Sequence, residues 1–314
     1  MSGSRKSVWT AACRGYKSAG YPLLPLTRLL RGPLRWFYHR SPLLRHDSQR
    51  YLKPRLLTKL HALCVKDHPP DFAIHRGQLK FRSYGSEMSV QGYYVGEIEH
   101  HLVQFVVARL RPGFVMIDVG AHHGVFTLVV SFELRQRGWP GHVYAFEPSP
   151  ENYALLQYNL AQNGLEGCAT LSPAAVGPEC GSGALVLNPR DNSDNRLELE
   201  GGGSALDGDK GVTRQQVVVT NLDQFCDRLS EVHLIKIDVQ GHEPLVLAGA
   251  TRLIERHRPI ILVEAVQGWP STAQIRDFLV THGYRIHGVS ARGEPCALGG
   301  PEAFVSWDWV AMPE

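Results

Sequence analysis

Apolar and polar residues alternate with two different periods along most of the chain. Leu102, Phe105 and Leu110 recur at helical spacing within residues 97–110, and the apolar run 114–118 that follows predicts a buried parallel strand. Later apolar runs predict further strands at 142–146, 169–176 with an interruption at Pro173, 217–219, 234–238, 260–264, 284–289 and 305–311. Amphipathic stretches between most of these runs predict helices at 125–137, 150–163, 221–229, 243–256 and 271–282.

The regular alternation of strands and helices predicts an α/β fold, a Rossmann-like doubly wound sheet of seven strands. No helix is predicted between 284–289 and 305–311, so the sheet should end in a C-terminal antiparallel hairpin. Residues 178–216 are a polar interruption, which we expect to be a functional lid or a disordered segment. We place the α/β domain at 91–314 and a basic, partly helical N-terminal extension with accessory helices at 1–90.

The charge is divided unevenly along the 314 residues, whose formal net charge is +3. Residues 1–60 hold thirteen Lys or Arg and one acid, a net charge of +12, and the rest of the chain carries −9. This composition is typical of a mitochondrial targeting peptide, of a basic tail that contacts a membrane surface or nucleic acid, or of a poorly ordered extension. Two amphipathic stretches, 26–37 and 55–64, predict helices, the first of them broken by Gly32-Pro33.

The cellular location is predicted from what the sequence lacks. The six cysteines are scattered without metal-site or redox-motif spacing, which favours free thiols in a reducing compartment. No apolar stretch approaches the length of a membrane span. We therefore expect a cytoplasmic protein, with a mitochondrial or membrane-associated location through residues 1–60 as the alternative.

In a doubly wound sheet, ligands bind beyond the carboxyl ends of the strands, so the residues that follow the first two predicted strands are candidates. The loop after the first strand reads Asp118-Val-Gly120-Ala121-His122-His123-Gly124. Its glycines permit a sharp turn and a close approach to a ligand, but their spacing differs from the Gly-x-Gly-x-x-Gly dinucleotide fingerprint. Glu147, followed by Pro148, ends the next strand 29 residues after Asp118, where a carboxylate can accept from ribose hydroxyls. A nicotinamide cofactor uses the same contact, so an NAD(P)-dependent oxidoreductase remains an alternative.

Several ordered motifs together resemble the FkbM family of class I S-adenosylmethionine-dependent methyltransferases. They are Ile117-Asp-Val-Gly-Ala-His-His-Gly-Val-Phe-Thr127, Val143-Tyr-Ala-Phe-Glu-Pro148 with Asn152, Ala175-Val-Gly177, Leu222-Asp223, Ile235-Lys-Ile-Asp-Val-Gln-Gly-His-Glu243, Leu247-Ala-Gly-Ala250, Arg258-Pro259 and Val263-Glu264. The resemblance spans about residues 92–311. Two positions depart from the family pattern, which usually has Asn at position 122 and more often Glu at position 240.

The resemblance implies that S-adenosyl-L-methionine is the cofactor and that its methyl group is transferred, most often to a hydroxyl oxygen of a sugar or a natural-product scaffold. It assigns cofactor contacts to the first loop and to the ends of the next strands. These residues are Asp118, Gly120, Ala121, His122, Gly124, Glu147, Pro148 and Ala175.

An alcohol acceptor needs a base that removes its proton as the new bond forms. His242 is the candidate, because it follows the strand that ends at Asp238 and because an imidazole titrates near neutral pH. Asp238 and Glu264, at the tips of adjacent strands, are candidates to orient His242, to bind acceptor hydroxyls or to hold a cation. Lys236, inside the same apolar run, either pairs with a strand-tip acid or reaches the site. Glu243 precedes Pro244 and is expected to open the next helix.

The pairs His100-His101 and His122-His123 do not predict a metal site. Adjacent side chains point in different directions, and neither pair has a recognisable carboxylate partner in the sequence. We therefore interpret them as surface or loop histidines, and no metal is predicted.

Three functions remain after the sequence analysis: an O-methyltransferase, an NAD(P)-dependent oxidoreductase, and a catalytically silent module that keeps the fold. The expected partner is a small hydroxylated acceptor. Nucleic acid is disfavoured because the body of the chain is not basic and carries no recognisable nucleic-acid module. We expect residues 178–216 and 77–97 to select the acceptor, and residues 1–60 to serve targeting or membrane-surface contact.

Overall fold

A computed structural model of the chain describes residues 71–83, 99–188, 194–199, 212–300 and 307–314. The chain divides into two compact units, Met1–Asp67 and His68–Glu314, and all described residues belong to the second. The predicted helices at 26–37 and 55–64 and the basic segment 1–60 lie outside the described residues. No helix in the described ranges has the length and apolar character to cross a membrane; the compartment stays a prediction.

The described strands and helices follow one another in an order close to the predicted one. In chain order they are β1 Asp71–Ile74, β2 Leu79–Arg82, α1 His100–Val107, β3 Phe114–Val119, α2 Val125–Gln136, β4 Gly141–Phe146, α3 Pro150–Ala161, β5 Ala169–Ser172, β6 Ala174–Val176, β7 Gly181–Leu187, β8 Arg196–Glu198, β9 Thr213–Thr220, β10 Leu234–Ile237, α4 Glu243–Ala248, α5 Thr251–His257, β11 Ile260–Glu264, α6 Pro270–Thr281, β12 Tyr284–Val289, β13 Pro295–Cys296 and β14 Asp308–Pro313.

The main sheet confirms the predicted doubly wound α/β fold. Its strand order is β13-β12-β14-β11-β10-β3-β4-β5, and the five central strands from β11 to β5 run parallel. β14 lies antiparallel between β11 and β12, which is the predicted C-terminal hairpin. The short edge strand β13 raises the number of strands from the predicted seven to eight. From β3 the chain continues through β4 to β5 at one edge of the sheet. It later returns to form β10 on the other side of β3, so the strand order reverses between β3 and β10.

A second, four-stranded sheet with the order β6-β9-β7-β8 was not predicted. The predicted strand 169–176 divides at Pro173, which has no N–H for a ladder, so β5 pairs in the main sheet and β6 in the second. The polar interruption 178–216 contains β7, β8 and the start of β9, and the predicted strand 217–219 is the end of β9. The small core of this sheet consists of Ala175, Leu185, Leu197, Val217 and Val219.

Two predicted helices differ in the structure. The stretch 221–229 forms only a 3-10 turn, Asp223–Phe225, whose Asp223 carboxylate accepts a hydrogen bond from the Leu253 N–H at 2.9 Å. The predicted helix 243–256 is two helices, α4 and α5, separated at Gly249 and Ala250. The interruption has a packing reason: Gly249 lies against the backbone of Gly177, which follows β6.

Strands β1 and β2 form an antiparallel hairpin that packs on α2 and α3. Its residues, which we placed in the N-terminal extension, belong to the compact unit His68–Glu314. The Asn159 side chain bonds both the N–H and the C=O of Arg82, each at 2.8 Å. Asn163 bonds the N–H and C=O of Lys80 at 2.9 and 2.7 Å. Asn159 of α3 and Asn163 just after it therefore satisfy the edge of β2 as a neighbouring strand would.

We predict that Gly249→Ala destabilises the fold, because an added Cβ would lie 2.1 Å from the Gly177 carbonyl oxygen. The backbone φ of Gly249 is −81°, so alanine itself fits the conformation and the clash alone should lower the free energy of unfolding, by about 1–3 kcal/mol. Urea unfolding measures the change. Gly167→Ala is the matched control, since nothing lies within 4 Å of its Cβ position. Equal stability of the two variants would contradict the packing described here.

Candidate functional site

A cleft opens where the strand order of the main sheet reverses, beyond the carboxyl ends of β3, β4 and β10. Most of the predicted site residues line it. They are Gly120, Ala121, His122, Gly124, Glu147, Pro148, Ala175, Asp238 and His242, joined by Glu99, Lys236 and Gln240. Asp118 and Glu264 are not part of its lining.

Gly120 fixes the first loop between two strands. Its φ is 75°, and a Cβ there would lie 1.9 Å from the Asp238 carbonyl oxygen at the end of β10. The N–H groups of Gly120 and Ala121 both donate to the Phe146 carbonyl of β4 at 3.0 Å. Only glycine allows this close approach, so the loop is held against β10 and β4 together.

His122 occupies a left-handed backbone conformation, with φ 51°. Histidine and asparagine are among the residues that tolerate this region best, so the departure from the family's usual Asn at this position keeps the turn. The His122 N–H donates to Glu147 Oε2 at 2.8 Å. Gly124, with φ 93°, then begins α2 where a Cβ would lie 2.3 Å from the Leu156 side chain.

The interpretation of the paired histidines as surface or loop residues is wrong for His101, whereas His123 lies in the first loop as interpreted but is buried there. His123 is fully buried and its ring stacks on that of His122 at 3.6 Å between centroids. His101, on α1, is also buried. Burial lowers the pKa of His101 to about 4 and lowers the pKa of His123 well below its usual value. Both imidazoles are therefore neutral at physiological pH.

Glu147 is a buried carboxylate at the end of β4. Its Oε1 accepts from the Ser149 N–H at 3.0 Å and from Asn152 Nδ2 at 3.4 Å, and its Oε2 accepts from His122. A carboxylate offers roughly four acceptor positions, so these bonds leave room for a ligand hydroxyl. Desolvation raises the pKa of Glu147 to about 7, against the effect of the N–H groups that it accepts from.

Both alternatives for Lys236 hold, since it pairs with a strand-tip acid and also reaches the site. Its ammonium donates to the Gly120 carbonyl at 3.2 Å and pairs with Asp238 at 3.3 Å, and it lines the cleft. Asp118 is 3.9 Å away. Burial alone would lower the pKa of Lys236, but the carboxylates of Asp238, Asp118 and Glu99 raise it above its usual value.

Asp118 lies beneath the cleft, at 1% exposure. Its Oδ2 accepts from the Thr127 hydroxyl at 2.6 Å, and Lys236 covers its other side. Burial raises the pKa of Asp118, although Lys236 and Thr127 oppose that shift. The geometry favours the role of ordering the loop over direct contact with a ligand.

The other side of the cleft contains a bridge of polar groups after β10 and β11. The Gln240 amide nitrogen donates to Asp238 Oδ1 at 3.0 Å and to Glu264 Oε2 at 3.3 Å. Asp308, which sequence analysis missed, pairs with Glu264 in the strand register. Burial and the neighbouring carboxylates raise the pKa of Glu264 and of Asp308 well above their usual values. Glutamine at position 240 supplies the donor that Asp238 and Glu264 share.

Within the described residues no hydrogen bond joins His242 to Asp238 or Glu264, so the expectation that these acids orient it is wrong. His242 precedes α4, and its side chain makes no capping bond. Its Nδ1 is buried and has no hydrogen-bond partner within the described part of the chain. Burial lowers the pKa of His242, and the charge of Arg196 lowers it further. Glu243 opens α4 as predicted, and its carboxylate accepts from the Val239 and Gly241 N–H groups at 3.1 and 3.0 Å.

The second sheet forms one wall of the cleft. Leu185 of β7, Leu197 of β8 and the preceding Asn195 line it. The Arg196 guanidinium lies over the Trp269 ring at 5.5 Å from its centroid. The residues of β7 and β8 fall in the predicted lid, 178–216, but the sequence does not show which of them face the cleft. The pairing of β7 with β9 shows it.

One family model and several known methyltransferases match this chain. Residues 118–286 match the family described as "Methyltransferase FkbM domain". A 31-O-demethyl-FK506 methyltransferase from Streptomyces tacrolimicus is 32% identical over 165 residues, covering 45% of this chain and 61% of the relative. A hexuronic acid methyltransferase from Haloferax volcanii is 24% identical over 162 residues, covering 50% of this chain and 58% of the relative. The chain thus spans about three fifths of the length of these curated relatives. A solved methyltransferase FkbM structure from Methylobacillus flagellatus has a TM-score of 0.44 and 16% identity, covering 71% of this chain and 54% of that one.

We predict that Lys236→Met leaves the buried Asp118 carboxylate and the half-buried Asp238 carboxylate without their cation. The free energy of unfolding should fall by about 3–5 kcal/mol near pH 8. Near pH 5 the loss should be smaller, because a carboxyl without Lys236 takes up a proton more readily. Urea unfolding at both pH values measures the effect. The control is Lys80→Met on the exposed surface of β2, which should change stability by no more than about 0.5 kcal/mol. An equal loss at the two pH values would show that the cation is not what Lys236 supplies.

Proposed function

The chain belongs to the FkbM methyltransferase family, and from this premise we propose that it transfers a methyl group from S-adenosylmethionine to a hydroxyl oxygen of a sugar or natural-product-like small molecule. The observation that carries the proposal is the cleft itself. It has a hydrogen-bonded carboxylate, Glu147, on one side and an unpaired imidazole nitrogen, that of His242, on the other.

The cleft residues fit the chemistry of the cofactor. Glu147 retains acceptor capacity for a ribose hydroxyl. Phe146, Ala175 and Leu185 supply apolar lining for a purine ring. The first loop lies at the edge of the cleft, because Gly120 packs against the Asp238 carbonyl and Gly124 packs against the Leu156 side chain. Glu147 and the first loop would hold the cofactor, while Lys236 and Asp118 keep that loop in place.

When bound, S-adenosylmethionine supplies a methyl group on a positively charged sulfur. His242 then acts as the base: its lowered pKa keeps the ring neutral at physiological pH, so that it can accept the proton of the acceptor hydroxyl. Asp238 and Gln240, which line the cleft, offer hydrogen-bond partners for the other hydroxyls of the substrate. The wall formed by β8 limits the access of water from that side.

The names of the relatives support oxygen as the methylated atom. One is named for a 31-O-demethyl substrate and the other for a hexuronic acid, and both substrates carry hydroxyl groups. Asp238 and Gln240 in the cleft also suit a polyhydroxylated acceptor, because its hydroxyls find hydrogen-bond partners there. The proposal therefore takes a small hydroxylated molecule, and not a nucleic acid, as the acceptor.

The assignment of the cofactor is tested by calorimetric titration of the purified full chain with S-adenosylhomocysteine and with NAD⁺. We expect saturable binding of S-adenosylhomocysteine only. Glu147→Gln should weaken that binding about 10- to 100-fold, because the neutral amide loses a charge-assisted acceptor. Glu151→Gln, an exposed acid at the start of α3, is the matched control and should not change it. Binding of NAD⁺ alone would favour the oxidoreductase and overturn the proposal.

The assignment of the base is tested by His242→Asn. Turnover should fall about 10²- to 10⁴-fold while affinity for S-adenosylhomocysteine stays the same. Transfer of a tritiated methyl group to a panel of hexuronic acids and macrolide alcohols provides the assay. The control is His142→Asn, at the opposite end of β4 from Glu147.

The pH profile of the wild type checks the same assignment. At saturating S-adenosylmethionine, where cofactor binding by Glu147 does not limit the rate, kcat should fall as the pH drops through a value below the ordinary histidine pKa of about 6.5, since the pKa of His242 is lowered. Unchanged turnover in His242→Asn would remove His242 as the base. Binding of S-adenosylhomocysteine without transfer to any acceptor would favour the catalytically silent module.

A further inference from the structure

Three hydrogen bonds connect the N-terminal hairpin to the carboxylate of the cleft. Ser83 follows β2 directly, and its Oγ lies 2.8 Å from His123 Nδ1. His123 Nε2 lies 3.2 Å from Asn152 Oδ1, and Asn152 Nδ2 lies 3.4 Å from Glu147 Oε1. All four side chains are buried, with exposures of 5% or less. The carboxylate that faces the cleft is thus joined to a segment of the chain more than sixty residues earlier.

The chemistry of these groups allows the series of hydrogen bonds only one direction of donation. An ionised carboxylate only accepts, so Asn152 must turn its NH₂ toward Glu147 and its oxygen toward His123. His123 must then carry its proton on Nε2, which leaves Nδ1 as an acceptor for the Ser83 hydroxyl. Each donor therefore points toward Glu147. If any one of these hydrogen bonds were reversed, two acceptor atoms would face each other at a neighbouring bond.

The backbone around these side chains is held by the same helix. Asn159 Nδ2 donates to the Arg82 carbonyl, next to Ser83, and also to the His123 carbonyl at 2.9 Å. One amide of α3 therefore fixes both Ser83 and His123 relative to each other. The β1–β2 hairpin is therefore close enough to the first loop for the Ser83 hydroxyl to act on Glu147 through His123 and Asn152.

We propose that Ser83, His123 and Asn152 are positioning residues that keep the cleft carboxylate ionised and aimed at a hydroxyl of the cofactor. The proposal rests on the proposed function, because it takes the ligand of Glu147 to be the ribose of S-adenosylmethionine. It makes the β1–β2 hairpin a part of the cofactor site. The hairpin does not contact the ligand and acts only through His123 and Asn152.

Two titratable side chains near Glu147, those of Lys236 and His123, keep a fixed charge near neutral pH. Lys236 on β10 stays cationic because nearby carboxylates raise its pKa, and His123 stays neutral because burial lowers its pKa. His122, from the same loop, also faces it through its backbone N–H. Desolvation brings the pKa of Glu147 to about 7. Loss of a donor should raise that pKa further, so that less of the carboxylate is ionised at neutral pH.

The test is calorimetric titration of the full chain with S-adenosylhomocysteine across pH 6 to 9, in the wild type and in Ser83→Ala. Near pH 7 the variant should bind roughly two- to tenfold more weakly, the effect of one hydrogen bond. The difference should shrink toward pH 9, where Glu147 is ionised in both proteins. A loss of equal size at every pH would indicate a purely structural effect and would overturn the proposal, as would identical binding.

Two control variants separate the hydrogen-bond chain from its surroundings. Asn163→Ala loosens the hairpin at Lys80 without touching the chain of bonds, and it should leave the pH dependence unchanged. Glu147→Gln should remove the part of the pH dependence that arises from this carboxyl. If Asn163→Ala reproduces the effect of Ser83→Ala, hairpin docking explains it and the proposal is wrong.

A measurement without ligand keeps this proposal distinct from the proposed function. Carbon-13 NMR of the free protein follows the ionisation of the Glu147 carboxyl, and Ser83→Ala should move its midpoint to higher pH. Failure of the wild type to bind S-adenosylhomocysteine would overturn the proposed function, but this midpoint still reports on the hydrogen-bond chain. An unchanged midpoint would overturn the inference.

Discussion

The close approach of Gly120 to the Asp238 carbonyl is the constraint on which the site depends. It joins the ends of β3 and β10, the two strands between which the strand order reverses. Lys236 completes the junction by bonding the Gly120 carbonyl and pairing with Asp238. Because the first loop is fixed there, the Ala121 N–H reaches β4 and the His122 N–H reaches Glu147. The two sides of the cleft, for which we propose the cofactor and the acceptor as ligands, therefore share one anchor.

Charge is distributed over the cleft in a way that serves two different tasks. On the cofactor side Glu147 accepts from N–H groups that counter the cost of its burial. On the acceptor side Asp238, Glu264 and Asp308 crowd together, and burial with mutual repulsion raises the pKa of the latter two. Gln240 donates into this cluster, where a glutamate would add repulsion. His242 stands apart from these acids, which suits a base that must remain neutral until it takes the proton.

Sequence predicted the parts of the structure that local chemistry determines. The acids at strand ends, the glycines of the first loop and the terminal hairpin follow from residues close together in the chain. The structure brings the glycines and two of the acids, Glu147 and Asp238, to one cleft. The second sheet was missed because Pro173 divides a single apolar run between two sheets. The burial of His123 and the role of the hairpin were missed because both depend on a contact with Ser83, forty residues earlier. No short-range pattern carries that information.

A crystal structure with S-adenosylhomocysteine bound tests the central claim most directly. The account predicts a ribose hydroxyl within hydrogen-bond distance of the Glu147 carboxylate, the purine against Phe146 and Ala175, and the sulfur on the side that faces His242. A ligand bound elsewhere, or one whose sulfur points away from His242 with the ribose out of reach of Glu147, would contradict it.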